Sequence, residues 1–188
     1  MTNYIQGYLD ETSVISQQLK NNKEIQKIIE ILFETKTKEG RVFVLGVGGS
    51  AANASHLVND LRKICGIEAY APTDNVAELT AITNDYGWKY TFQEWLKISD
   101  VKSKDVILVL SVGGGNNETS TNIVLGIQFA QKKEAKILGI VSRDGGYTKQ
   151  VADACVLIPV INDKHITPHA ESFQAVIWHL IVNHPSLQ

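Results

Sequence analysis

The sequence predicts an α/β protein whose mostly parallel five-stranded sheet is covered by helices on both faces. Five short apolar runs alternate with segments of helical periodicity, which is the order of elements in a parallel sheet with crossover helices. The apolar runs are nearly continuous, as is typical of strands buried on both faces. Three of them end in glycine-rich turns, GVGGS, SVGGGNN and SRDGG. We therefore expect a three-layer sandwich.

The individual elements follow from periodicity and from helix start signals. Residues 3–38 carry apolar residues at helical spacing and predict two N-terminal helices, broken near NNKE. The predicted strands are RVFVLGV, IEAYA, DVILVLS, AKILGIVS and ACVLIPV. Between them we predict helices over about 50–64, in NVAELTAIT and YTFQEWLKIS around the loop NDYGW, and over 119–133. Thr167 as N-cap and Pro168 at the first helical position open a last helix to about 183.

Length and composition favour one soluble domain. The chain has 188 residues, of which 44% are hydrophobic and 20% charged, with a formal net charge of −2. No linker divides it, so we expect a single domain over 1–188, with N-terminal helices over 1–40 and an α/β core over 41–188. The charge gives no reason to expect a nucleic-acid partner. No secretion signal or membrane-length apolar stretch is visible, so we expect a cytoplasmic protein with no membrane partner.

The glycine-rich turns indicate an anion site. Ligands of open parallel sheets bind beyond the carboxyl ends of the strands, where a following helix presents free N–H groups. Ser50 and Ser111 would add hydroxyl donors there, and phosphate is the best-suited anion. The alternative is that the glycines only make tight turns. GVGGSA matches neither a dinucleotide fingerprint nor a Walker loop, so a small phosphorylated ligand is favoured and no nucleotide cofactor is expected.

Two helices each place a histidine and a carboxylate away from the predicted core. His56 and Asp60 lie one turn apart, opposite the apolar stripe of Ala54, Leu57, Val58 and Leu61. Glu171 and His179 lie off the stripe formed by Phe173, Ile177, Leu180 and Ile181. Together they favour acid–base catalysis or a Zn²⁺-type ion over solvated surface pairs. Glu171 and His179 are about 12 Å apart along a straight helix, so acid–base use is favoured over a shared metal.

The remaining predictions on the last helix concern its outer face and the other histidines. Ala175, Trp178 and Val182 give the off-core face an apolar character, which is typical of a subunit interface. We therefore expect a homo-oligomer with its site between chains. His165, His169 and His184 are expected at the surface or at helix ends.

Five segments carry a resemblance to a known family: GVGGSAANASHLVND, TNDYGW, the Ser111 loop, RDGG and AESFQAVIWHL. The chain resembles the SIS (sugar isomerase) domain proteins, and among them the phosphoheptose isomerases, over nearly its whole length. The resemblance implies the SIS fold and an intramolecular oxidoreductase. Its reaction would convert sedoheptulose 7-phosphate to D-glycero-D-manno-heptose 7-phosphate for heptose synthesis. It also implies a homotetramer with active sites at subunit contacts.

The resemblance assigns roles to particular positions. It implies that Asp60 and His179 serve as acid and base, in an order that stays open. It implies that one zinc ion can be held by His56, Asp60, Glu171 and His179. The positions implied to bind the sugar phosphate are Val47, Gly48, Gly49, Ser50, Asn84, Asp85, Ser111 and Glu171.

Three departures from the family pattern bear on the substrate. Asp60 replaces the usual glutamate and Glu171 the usual glutamine. The loop SVGGGNNETST is longer than the usual STSGNS and has no serines after Ser111 at its start, so Asn117, Ser120 or Thr121 would supply further phosphate contacts. Two alternatives therefore stay open: a non-catalytic SIS module that senses a sugar phosphate or scaffolds a partner, and an isomerase of another sugar phosphate.

Overall fold

A computed structural model describes residues 2–188 and confirms the α/β prediction. Its five strands are all parallel, in the order β2-β1-β3-β4-β5. The elements are α1 (Thr2–Leu19), α2 (Lys23–Thr37), β1 (Val42–Leu45), α3 (Gly49–Lys63), β2 (Ala69–Tyr70), α4 (Val76–Tyr86), α5 (Thr91–Ile98), β3 (Val106–Ser111), α6 (Thr121–Lys132), β4 (Lys136–Val141), α7 (Gly146–Val151), β5 (Ala154–Leu157) and α8 (Ile166–Val182). Over residues 2–188, no helix combines the length and the apolar character that a membrane crossing needs.

The sheet separates two hydrophobic clusters, which confirms the three-layer sandwich. Side chains alternate between the faces of a strand, and Val42 and Val44 accordingly pack with α1, α2, α3 and α8. Phe43 and Leu45 lie in the other cluster, with residues of α4, α5 and α6 and the partly buried Val151 of α7. Every residue of β1 and β3 is buried, so both sequences lack a polar–apolar alternation and are apolar except for Ser111 at the end of β3.

Helix boundaries differ from the prediction in three places. The helix α4 continues to Tyr86 and ends at Gly87, whose φ is 86°, so Asn84 and Asp85 lie in its last turn and not in a loop. The helix α8 begins at Ile166, so Thr167 lies in its first turn and is not the N-cap. A 3-10 turn capped by Asn162 leads directly into α8, which removes the need for that cap. The short helix α7 was not predicted.

The prediction for the faces of α8 was partly wrong. Trp178 and Val182, expected on an outer face, are buried at 1% and 0% exposure, whereas Leu180, expected in the core, is 50% exposed. The cause is that α8 packs against both α2 and α3, so its buried face is wider than a single stripe. His169, expected at the surface or a helix end, is also buried, because α1 covers the first turn of α8.

Candidate active site

A cavity of about 550 Å³ opens where β1, β3 and β4 end. Its volume is in the range of small-molecule sites, and its position beyond the carboxyl ends of the strands is where such sheets bind ligands. Three predicted residues, Val47, Ser50 and Ser111, line it as expected. The lining also includes Gly113, Gly115, Asn116, Thr119, Ser120, Arg143, Asp144 and Thr167.

The start of α3 explains two of the glycines. Gly48 has a φ of 64°, a left-handed conformation that glycine adopts readily. A Cβ on Gly49 would collide with the carboxylate of Glu171. That carboxylate is attracted to the positive end of the α3 dipole, but it would repel a phosphate placed at the same point. We therefore expect an anion to bind in the cavity beside Ser50 and Ser111, and not at Gly49, where the Glu171 carboxylate lies.

The loop after β3 is fixed by hydrogen bonds. The hydroxyl of Ser111 accepts from the Gly114 N–H at 3.0 Å, which leaves its own O–H free to donate to a ligand. The Thr148 hydroxyl donates to the Gly114 carbonyl at 2.7 Å, and the Tyr147 N–H donates to the Gly115 carbonyl at 2.8 Å. The start of α7 thus holds in place the loop that lines one side of the cavity.

Arg143 is a site residue that the sequence analysis did not single out. Among the described residues that line the cavity, it is the only cation. Its backbone is left-handed, with a φ of 54°, and its side chain passes Gly113. A guanidinium is well suited to phosphate recognition. The signal that could have identified it is the third glycine-rich turn, SRDGG, which places a cation at the carboxyl end of a predicted strand.

Seven of the predicted substrate contacts do not line this cavity: Gly48, Gly49, Asn84, Asp85, Asn117, Thr121 and Glu171. Asn117 lines a neighbouring cavity of about 300 Å³ together with Gly146 and Tyr147. Asn84 and Asp85 are exposed at the end of α4, where the Asn84 amide donates to the Asp85 carboxylate at 2.9 Å. Contact between these residues and a bound sugar phosphate stays a prediction.

His56, Asp60 and His179 meet on the surface between α3 and α8. The Asp60 Oδ2 atom lies 3.9 Å from His56 Nε2 and 3.8 Å from His179 Nε2. Asp60 is buried, although it lies opposite the predicted stripe, because α8 packs across this face of α3. Glu171 is not part of the cluster, since its carboxylate lies at Gly49.

Hydrogen bonds orient this cluster. His179 Nδ1 lies 2.8 Å from the carbonyl oxygen of Ala175, which only accepts, so Nδ1 donates to that oxygen and Nε2 is the ring nitrogen that faces Asp60. The Asn59 amide donates to Asp60 Oδ1 at 2.8 Å, which leaves Oδ2 to face the two imidazoles. The ring of Trp178 packs against both imidazoles. These contacts hold the Asp60 carboxylate and the His179 imidazole face to face, 3.8 Å apart.

The donor set also fits a zinc-type ion. The three candidate ligand atoms all lie within 4.8 Å of one another, and two imidazoles plus a carboxylate with an open position are typical of catalytic zinc sites. The Ala175 carbonyl supplies the outer hydrogen bond that metal-binding histidines usually make. His56, Asp60 and His179 can therefore hold the metal, without the predicted fourth ligand Glu171.

Asn53 connects the two halves of the site and was not identified from the sequence. Its side-chain amide donates to the Glu171 carbonyl at 2.8 Å and to the Gln174 side chain at 3.0 Å. Because Asn53 lies on α3 between Ser50 and His56, these bonds fix α8 relative to both the cavity and the cluster.

Comparison with known proteins places this chain in a family. The SIS domain family matches residues 7–142. The phosphoheptose isomerase of Leptospira biflexa is 30% identical over 188 residues, covering 94% of this chain and 91% of that protein. That of Helicobacter pylori is 28% identical over 182 residues, covering 93% and 89%. The structure of a phosphoheptose isomerase from Neisseria gonorrhoeae, 21% identical, shares the fold with a TM-score of 0.85 over 97% of this chain and 96% of that one. The chain therefore belongs to the SIS domain family and, within it, to the phosphoheptose isomerase family.

Proposed function

We propose that the protein is an aldose–ketose isomerase that converts sedoheptulose 7-phosphate to D-glycero-D-manno-heptose 7-phosphate. The observation that carries this proposal is the position of His179 Nε2, which lies 3.8 Å from the buried Asp60 carboxylate. The curated relatives named phosphoheptose isomerase support the substrate. A cytoplasmic location, expected from the sequence, stays a prediction.

The reaction needs two proton transfers. A base removes a proton from the carbon beside the carbonyl, and a proton is returned to the neighbouring carbon. Asp60 and His179 lie close enough to each other to act on adjacent atoms of one substrate. A metal held by His56, Asp60 and His179 would polarise the carbonyl oxygen.

The spacing along α3 favours a long substrate. Ser50 lines the cavity, and Asp60 lies ten residues further along the same helix, about 15 Å at 1.5 Å per residue. A sugar whose phosphate is bound near Ser50 and whose carbonyl reaches Asp60 must carry these groups at opposite ends. A heptose 7-phosphate meets this requirement better than a shorter sugar phosphate.

Incubation in deuterated water tests the function. We expect sedoheptulose 7-phosphate to turn over faster than a panel of pentose and hexose phosphates, with solvent deuterium entering the carbon beside the carbonyl. Mass spectrometry of substrate and product measures both. Binding without turnover or exchange on any of these sugars would favour the non-catalytic module. Faster turnover of a pentose or hexose phosphate would indicate an isomerase of another sugar phosphate.

The proposed assembly is a homotetramer with its sites near subunit contacts. Apolar side chains are exposed on three helices that lie on one side of the sheet: Ile5, Leu9, Val14, Phe33, Val176 and Leu180. Residues of α1, α2 and α8 also line an apolar groove of about 430 Å³. Such a surface is typical of an interface, and Leu180 is adjacent to His179 in the chain. A contact there would bring a second copy beside the cluster.

We expect the wild type to have the mass of a tetramer by light scattering at micromolar concentration. The double substitution Val176→Ser and Leu180→Ser should shift the mass towards smaller species, because both side chains are half exposed in one chain and would be buried only by a partner. Ile98→Ser is the matched control, since Ile98 is exposed on α5 across the sheet. A monomeric wild type would contradict the shared-site proposal.

A further inference from the structure

A second cluster of histidines lies where α1 meets the start of α8. Glu11 on α1 places its Oε2 atom 2.8 Å from His165 Nδ1 and 2.7 Å from His169 Nε2. His165 immediately precedes α8, and His169 lies near its start. The cluster shares no residue with His56, Asp60 and His179, and the proposed reaction has no use for it.

We propose that Glu11, His165 and His169 bind a divalent transition-metal ion of the zinc type, which joins α1 to α8. Two imidazole nitrogens and one carboxylate oxygen are ligands that suit zinc and its neighbours in the first transition row. The three candidate ligand atoms all lie within 4.8 Å of one another. The ion would have three protein ligands and an open position for water.

The spacing of the ligands is close to what tetrahedral coordination requires. Bonds of about 2.0–2.1 Å to a central ion separate the ligand atoms by about 3.3 Å. The distances from Glu11 Oε2 to the two imidazole nitrogens are 2.8 and 2.7 Å. Entry of the ion therefore requires the Glu11 carboxylate to withdraw by about half an ångström. Its side chain is 18% exposed, so the carboxylate has room to move.

The surroundings of Glu11 keep it ready as a ligand. The Asn162 amide donates to Glu11 Oε1 at 2.7 Å, which supplies the outer hydrogen bond of a ligating carboxylate and leaves Oε2 for the ion. Hydrogen bonds from Asn162, His169 and His165 lower the pKa of Glu11 to about 2. The carboxylate is therefore ionised at neutral pH. The ring of Tyr8 lies 4.5 Å from that of His169 and closes one side of the cluster.

Binding of a metal by His169 would require its Nε2 atom to give up a proton. In the metal-free chain Nε2 donates to the Glu11 carboxylate at 2.7 Å, and an entering ion would displace that proton. The side chain is 4% exposed, and its Nδ1 atom is buried without a hydrogen-bond partner within residues 2–188. With the proton on Nδ1, the Nε2 lone pair points at the position between Glu11 and His165.

The ion would act on the part of α8 that reaches the active site. Thr167 lies between the two histidines and lines the 550 Å³ cavity, and Glu171 follows two residues after His169. A metal at this junction would stabilise the first turns of α8 against α1. Its expected effect is on protein stability, with the chemistry left to Asp60 and His179.

Zinc stoichiometry of the full chain tests the proposal. After equilibrium dialysis against Zn²⁺, we expect Glu11→Gln/His165→Asn to hold one equivalent less per chain than the wild type by atomic absorption. His184→Asn is the matched control, because His184 lies just beyond the other end of α8 and should keep the wild-type value. Equal stoichiometry in the wild type and the double variant would overturn the proposal, as would a wild type that binds no zinc.

A single variant guards against a folding defect. His165→Asn changes a partly exposed residue outside the helix, and circular dichroism should show the wild-type fold. Added Zn²⁺ should raise the melting temperature of the wild type more than that of this variant, because an ion that binds only the folded chain stabilises it. The effect should persist in a His56→Asn background, which removes a ligand of the other cluster. An equal zinc-induced shift in His165→Asn and the wild type would show that the ion does not bind here.

Discussion

Replacing Asp60 with asparagine is expected to lower turnover of sedoheptulose 7-phosphate by about two to four orders of magnitude, the usual contribution of a positioned acid or base. Asparagine keeps the size and the hydrogen bond from Asn59 but cannot accept a proton. His179→Gln should have a loss of the same order, because it removes the imidazole whose Nε2 atom faces Asp60. The affinity for the sugar phosphate should change by less than about tenfold, since the proposed phosphate site is in the cavity lined by Ser50 and Ser111.

Steady-state kinetics and calorimetry with the sugar phosphate measure the two effects separately. Asp74→Asn is the matched control. The Asp74 carboxylate accepts a hydrogen bond from Ser55 on α3, the helix that carries Asp60, but it lies outside the cluster. Turnover by this variant should equal that of the wild type. Full activity in both Asp60→Asn and His179→Gln would leave the reaction intact and refute this assignment of residues.

Deuterium exchange and metal content assign the roles of the two residues. A variant without the base that removes the carbon-bound proton should show neither exchange nor turnover. A variant without the group that returns a proton to the neighbouring carbon should still exchange deuterium, and it should isomerise the sugar slowly. Zinc measured in the same samples separates proton transfer from metal binding, since loss of turnover at unchanged metal content excludes loss of the ion as the cause.

The strands and the glycine-rich turns were predictable because their sequence signals are local. A strand buried on both faces is apolar along its length, as β1 is and as β3 is up to Leu110, before Ser111 at its carboxyl end. A turn that approaches a helix start closely needs glycine, and Gly48 and Gly49 meet that need for different reasons. The pairing of His56 with Asp60 also follows from the local spacing of one helix turn.

The remaining features depend on contacts between distant parts of the chain. The periodicity of α8 does not reveal that two neighbours cover it, so Trp178 was predicted outside and Leu180 inside. The close approach of the Glu171 carboxylate to Gly49 brings together residues more than one hundred positions apart in the sequence. The burial of His169 depends on Glu11 at the other end of the chain. Helix periodicity identifies an apolar face but does not tell which neighbouring elements cover it.

Gly114→Ala is expected to cause the largest loss of stability among substitutions in the cavity wall. Gly114 has a φ of 70°, and its added Cβ would collide with the carbonyl oxygen of Gly145. That oxygen belongs to the backbone and cannot turn aside as a flexible side chain does. The loop must move, which strains the bonds from Gly114 to Ser111 and Thr148. A residue forced into a left-handed conformation costs about 1–3 kcal/mol, and the lost contacts add to this.

Urea unfolding should therefore show a free energy of unfolding lower by about 3 kcal/mol for Gly114→Ala. The Michaelis constant for the sugar phosphate should rise, because Ser111 and Gly115 line the cavity on either side of Gly114. Gly113→Ala is the matched control: the nearest atom to its added Cβ is Arg143 Cδ, at 4.0 Å, so a methyl group fits without displacement. Equal unfolding free energies for the two variants would show that contact with the start of α7 does not fix this loop. A stability loss without a rise in the Michaelis constant would show that the loop is structural and that the phosphate is bound without it.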